Sequence, residues 1–231
     1  NTTEQLIEDM ELLREHLEIK NWLIFGASWG TTLALAYAEQ SPERVTEMVL
    51  NSVVTTTAEE VEWITRGVGH YLPEDYKRFV EFLPEDKRSG NIAQAYSDIL
   101  ESGDGDMREE AAIRWCDWED RHVFIGQEHH HDERYDNPSF RMAFARIVTH
   151  YWSHAAWLGA MQLLDNATKL NGIPGVMIHG QKDISSRAEI PKALHRVWTS
   201  SRLILDEGKG HSLVTDAIIT ATDNYVRRFH G

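Results

Sequence analysis

The chain has 231 residues, of which 42% are hydrophobic and 26% charged, and its formal net charge is −14. That length allows one domain with at most an inserted subdomain, and the acidity speaks against a phosphate-backbone partner such as nucleic acid. No apolar run approaches the roughly 20 residues of a bilayer span, the first residues lack the basic start and apolar centre of a signal peptide, and the single cysteine, Cys116, allows no internal disulfide, which suits a cytoplasmic setting.

Leu6, Met10, Leu13 and Leu17 recur at three- and four-residue steps, which predicts an amphipathic helix over 3–17. Thr2 and Gln5 fit a capping box at its start. NWLIFG (21–26) reads as a buried parallel strand, TTLALAYAEQ (31–40) as a helix stopped by Ser41-Pro42, and TEMVLNSV (46–53) as a second buried strand. Between the first strand and its helix lies GASWGTT (26–32), which contains G-x-S-x-G in the strand–turn–helix setting that gives the pattern meaning. Gly26 and Gly30 are expected where crowding leaves no space for a Cβ. Ser28 then projects its hydroxyl into a cleft at the positive end of a helix.

From about 55 to 170 the texture changes to dense tryptophan, tyrosine, histidine and acidic residues. Helical patterns appear at 74–83, 91–101, 107–119 and 139–165, with SGDGDM (102–107) as a turn. The α/β texture returns with a strand at 172–180, a helix at 187–198, a strand at 201–208 and a closing helix at 214–229. Such alternation predicts a parallel sheet with right-handed crossovers. The expected organisation is a core half over 1–54, a helical insertion over 55–170 and a second core half over 171–231.

A serine nucleophile needs a base to take its proton, and the base needs a carboxylate to fix its tautomer. Open α/β sheets place reacting groups at the carboxyl ends of their strands. Asp183, in HGQKD, and His211, in GKGHS, both follow predicted strands. The order Ser28, Asp183, His211 is the α/β-hydrolase order.

FGASWGTTLALAYAEQSPERVTEMVL resembles the nucleophile region of prolyl aminopeptidases (proline iminopeptidases), and the resemblance continues through WCDWED, FRMAFARIVTHYW, IPGVMIHGQKD and GKGHS. It implies an α/β-hydrolase fold, with a mostly parallel sheet and an inserted helical cap. It also implies Ser28 as nucleophile, His211 as base, Asp183 as orienting acid and the backbone N–H of Trp29 as an oxyanion donor. The implied activity is release of N-terminal proline, or a similar residue, from peptides through an acyl-enzyme. Three departures stand out. The family's upstream His-Gly-Gly-Pro-Gly loop, a second oxyanion donor, and its early strands do not occur in this sequence, so an upstream segment or a second chain is expected to complete the sheet. Glu119, in WCDWED, matches a position that binds the substrate's free amine, but Val148 stands where the family carries a glutamate. The acid loop reads GQKDISSRAEIP rather than the family's GRYD followed by Cys-Pro. Two alternatives therefore stay open: an esterase or amidase with another acyl preference, and a catalytically silent binding module.

GQEHHHDER (126–134) invites a metal reading, but adjacent histidines seldom converge on one ion, so a solvated loop is expected, with no metal or other cofactor. Trp63, Trp115, Trp118, Trp152 and Trp157 suit either a pocket for a proline-like ring or, for most of them, the core of the helical insertion. Cys116 reads as a small buried residue, and a peptide or small molecule with a free amine is the expected ligand.

Overall fold

A computed structural model describes residues 1–102 and 104–230, with the side chains of 228–230 left aside. The chain divides into two compact units, one made of Asn1–Thr55 with Trp157–Gly231 and the other of Thr56–Ala156.

The first unit starts with helix α1 (Thr3–His16), where the Thr2 hydroxyl accepts the Gln5 N–H at 3.3 Å. Strand β1 (Trp22–Ala27), helix α2 (Trp29–Gln40) and strand β2 (Val45–Asn51) follow. The second unit is helical: α3 (Ala58–Thr65), α4 (Pro73–Glu81), α5 (Ile92–Glu101), α6 (Gly105–His122) and α7 (Pro138–Ser153). The first unit then resumes with the single turn α8 (Gln162–Asp165), strand β3 (Gly175–Gly180), helix α9 (Glu189–Val197), strand β4 (Ser201–Asp206) and helix α10 (Thr215–His230).

Among the described residues the four strands form one parallel sheet in the order β1-β2-β3-β4. Alternation splits its side chains between two cores. Met48, Leu50 and Met177 face a cluster with Ile7 of α1, Leu35 and Tyr37 of α2, and Leu194 and Trp198. Val49, Val176 and Ile178 face Val214 and the α10 residues Ala221 and Tyr225. Both faces are covered, which explains why the strands read as continuous apolar runs rather than as alternating ones. Register brings Ala27 beside Asn51, Asn51 beside Ile178 and Gly180 beside Asp206, so the carboxyl ends of the strands gather at one rim.

Two helical expectations are corrected. The helix expected over 139–165 ends at Ser153, beyond which Ala155, Ala156 and Trp157 adopt φ of 46°, 54° and 55°. Three successive left-handed residues cannot continue a right-handed helix. Helix α3 was not expected, although Thr57 and Glu60 form a reciprocal capping box at its start. Of the turn expected over 102–107, Gly103 lies outside the described residues, and α6 already begins at Gly105.

Candidate active site

Strand β1 delivers the backbone to Ser28, which adopts φ 50°, ψ −126° before α2 begins. A non-glycine residue there stores on the order of 1–3 kcal/mol of strain, held by its surroundings. The holding groups are visible. The Ser28 N–H donates to Asn51 O at 2.9 Å, and its carbonyl accepts the Thr31 N–H at 2.8 Å. The buried Thr31 hydroxyl lies 2.7 Å from the same carbonyl and accepts the Val54 N–H at 2.9 Å. A Cβ on Gly26 would stand 2.6 Å from Gly30 O, so a side chain at 26 is barred. Gly30 differs from expectation: a Cβ there meets nothing within 4 Å. Its carbonyl, not its missing side chain, is what crowds the turn.

The Ser28 hydroxyl oxygen lies 3.0 Å from His211 Nε2. His211 Nδ1 lies 2.8 Å from Asp183 Oδ2. The carboxylate fixes the tautomer: Nδ1 carries the proton and donates it, which leaves the Nε2 lone pair facing the serine. The Asp183 side chain is fully buried, and its other oxygen accepts the Ser186 N–H at 2.8 Å. The backbone N–H of Trp29 belongs to the first turn of α2, where amides have no acceptor within the helix.

Four further residues, which sequence reading did not single out, hold this arrangement. Ser186 adds its hydroxyl 3.1 Å from His211 Nδ1. His179, at the end of β3, accepts the Val53 N–H on Nδ1 at 3.1 Å and donates from Nε2 to Ser186 O at 2.7 Å. Burial lowers its pKa, in keeping with a neutral ring satisfied on both nitrogens. Asn51, at the end of β2, donates to Ser212 O at 3.0 Å and accepts the Val214 N–H at 3.1 Å, pinning both ends of the segment that follows His211. Gly180 lets that segment approach: a Cβ there would lie 2.2 Å from Gly210 O and 2.5 Å from Lys209 O. The signal available for Asn51 and His179 is a polar residue directly after an apolar run, MVL before Asn51 and VMI before His179.

In the helical unit, Glu119 lies on α6 with Oε2 2.8 Å from Nε2 of the buried His122. Val148 is half-buried on α7. Of the aromatic residues, Trp115 and Trp118 are fully buried, Trp118 stacks on Phe79 at 5.0 Å, and its indole N–H donates to Ile64 O. Cys116 is buried, and desolvation pushes its thiol pKa far up, which suits a core residue rather than a nucleophile. His129 and His131 both turn to one carboxylate, Asp120, at 3.2 and 2.8 Å. That contact and Asp136 raise His131 to about 9.

A family model described as the alpha/beta hydrolase fold matches residues 1–217. The chain is 42% identical to a probable proline iminopeptidase of Streptomyces coelicolor, over 98% of its own length and 72% of the relative's. It is 36% identical to a proline iminopeptidase of Xylella fastidiosa, over 98% and 74%. The chain belongs to the proline iminopeptidase family of α/β-hydrolases. Solved structures place that family membership on the expected fold. An alpha/beta hydrolase enzyme from a Medee basin deep-sea metagenome library matches with a TM-score of 0.59 at 16% identity, covering 100% of this chain and 72% of that one. A hydrolase from Oleispira antarctica matches with a TM-score of 0.60 at 14% identity, covering 96% and 72%. The chain carries its G-x-S-x-G serine between strand β1 and helix α2.

Proposed function

We propose that this hydrolase cleaves the bond after an N-terminal proline, or a similar residue, in a peptide or small amide. The observation that carries the reading is the continuous chain of contacts from Ser28 through His211 to Asp183, at 3.0 and 2.8 Å. His211 Nε2 takes the hydroxyl proton as Ser28 attacks the carbonyl carbon. The Trp29 N–H donates to the oxyanion that forms. The same imidazole returns its proton to the leaving amine, which departs and leaves an acyl-serine. Water, deprotonated by His211, then releases the acid and restores the serine. Asp183 holds the ring and stabilises its charged form throughout.

Glu119 is assigned the substrate's ammonium, on the family resemblance of WCDWED. A second oxyanion donor is expected from an upstream segment or a second chain, and a cytoplasmic setting from the single, buried cysteine. Among the described residues no helix is long and apolar enough to cross a membrane. The half-buried Val148 favours one further reading, an esterase or amidase of the same machinery with weaker need for a free amine.

The test is turnover of proline p-nitroanilide by the chain and by Ser28→Ala. The substitution should abolish turnover while leaving the unfolding midpoint in place; unchanged activity sinks the assignment. Comparing that anilide with its N-blocked form and with p-nitrophenyl esters separates the two acyl preferences. Ser28-dependent labelling by a fluorophosphonate probe rules out a silent binding module.

A further inference from the structure

Helix α2 has a second end. Glu39 lies in its last turn, roughly 16 Å along the axis from Ser28 at about 1.5 Å per residue. The residue is 5% exposed, and neither buried carboxyl oxygen makes a hydrogen bond of good geometry, although the Asn166 side chain lies close enough to hold its pKa down somewhat. The negative end of the helix dipole makes this a poor place for a lone carboxylate and a good one for a cation. Glu39 lines a cavity of about 380 Å3, within the range of small-molecule sites. Lys169 lines the same cavity but does not hydrogen-bond to it. The rest of the wall is mixed: Ile7, Leu158 and Trp157 supply apolar surface beside the polar Gln40, Gln162 and Asn166. Glu4 of α1 is the other charged residue on the wall.

We propose that this cavity is a binding site for a free α-amino acid with an apolar side chain, its ammonium on Glu39, its carboxylate on Lys169 and its side chain against Ile7, Leu158 and Trp157. A zwitterion is the smallest ligand that answers both charges at once, because a simple cation meets Lys169 and a simple anion meets Glu39. The site stands apart from Ser28 and does not depend on what Ser28 does.

Calorimetric titration with L-leucine tests it. Isoamylamine, which lacks the carboxylate, and 4-methylpentanoate, which lacks the ammonium, serve as matched probes that the chain cannot hydrolyse. Leucine should bind saturably, and each matched probe about tenfold or more weakly, as expected for losing one charge-assisted hydrogen bond. Glu39→Gln and Lys169→Met should each weaken leucine by a similar factor, with cooperative unfolding retained in both and the midpoint of Lys169→Met held. Lys169 is exposed, so that variant decides the matter if the other fails to fold. Burial holds the Glu39 carboxyl up at about 8, and binding an ammonium expels its proton. Leucine affinity should therefore climb from pH 6 towards pH 8, by up to about tenfold per unit. No saturable binding, or binding indifferent to either substitution or to either missing charge, overturns the proposal.

Discussion

Replacing Gly180 with alanine tests how the candidate base is held. The added Cβ would sit 2.2 Å from Gly210 O and 2.5 Å from Lys209 O, whereas ordinary contact begins at 3.4 Å. Both neighbours are backbone, so no side chain can swing aside. The segment carrying His211 must lift by about 1 Å, and misplacement on that scale costs roughly a hundredfold in rate. The 3.0 Å contact between Ser28 and His211 would open beyond hydrogen-bond range. Overpacking should also lower stability by about 1–3 kcal/mol. The assay is steady-state hydrolysis of proline p-nitroanilide with a thermal melt on the same sample: kcat should fall about a hundredfold with KM little changed. Gly30→Ala is the matched control. Nothing stands within 4 Å of its Cβ, so it should keep most activity and gain up to about 1 kcal/mol from helix propensity. Activity of Gly180→Ala within threefold of the parent, with an unmoved melt, would refute the crowding account.

Three more outcomes are expected. Asn51→Ala removes the acceptor of the Val214 N–H and a donor to Ser212 O, so it should cost about 2–3 kcal/mol, seen as a melting shift of roughly 5–10 °C, and depress kcat; an unchanged melt and rate would show that the clamp does nothing. Glu39 keeps its proton longer in the folded state than unfolded, because burial raises its carboxyl from 4.5 to about 8. Its contribution is therefore present in full at low pH and lost as pH rises through that window, so Glu39→Gln should stabilise the chain by up to a few kcal/mol at pH 8 and by little at pH 4, read from urea unfolding at both values. Glu119→Gln should raise KM about tenfold for substrates with a free amine and leave N-blocked ones unaffected; equal effects on both would remove Glu119 from substrate binding.

The sheet was legible because burial on both faces writes its strands as short apolar runs ended by glycine or polar residues. Positions 28, 183 and 211 were legible for a related reason: each follows such a run, and the structure brings their side chains into hydrogen-bonding distance. The supporting groups were hidden by distance along the chain. Asn51 reaches partners more than 160 residues away, and His179 reaches Val53 across 126. No local pattern encodes such pairings. The two glycines of the serine motif looked equivalent in sequence, yet only Gly26 is sterically required, because the crowding comes from a carbonyl direction that letters do not carry. The over-long helix ending at 165 failed differently: apolar spacing persists past Ser153, but the backbone turns left-handed there.

The clamp from Asn51 to the residues after His211 joins pieces of chain that are made far apart in time. Closing so large a loop is slow and comes only once the intervening segments have collapsed. Nascent or half-refolded molecules should therefore display the serine on its elbow while remaining inert, and recovery of turnover should lag behind recovery of helix signal. Catalysis then becomes a clock for the last step of folding.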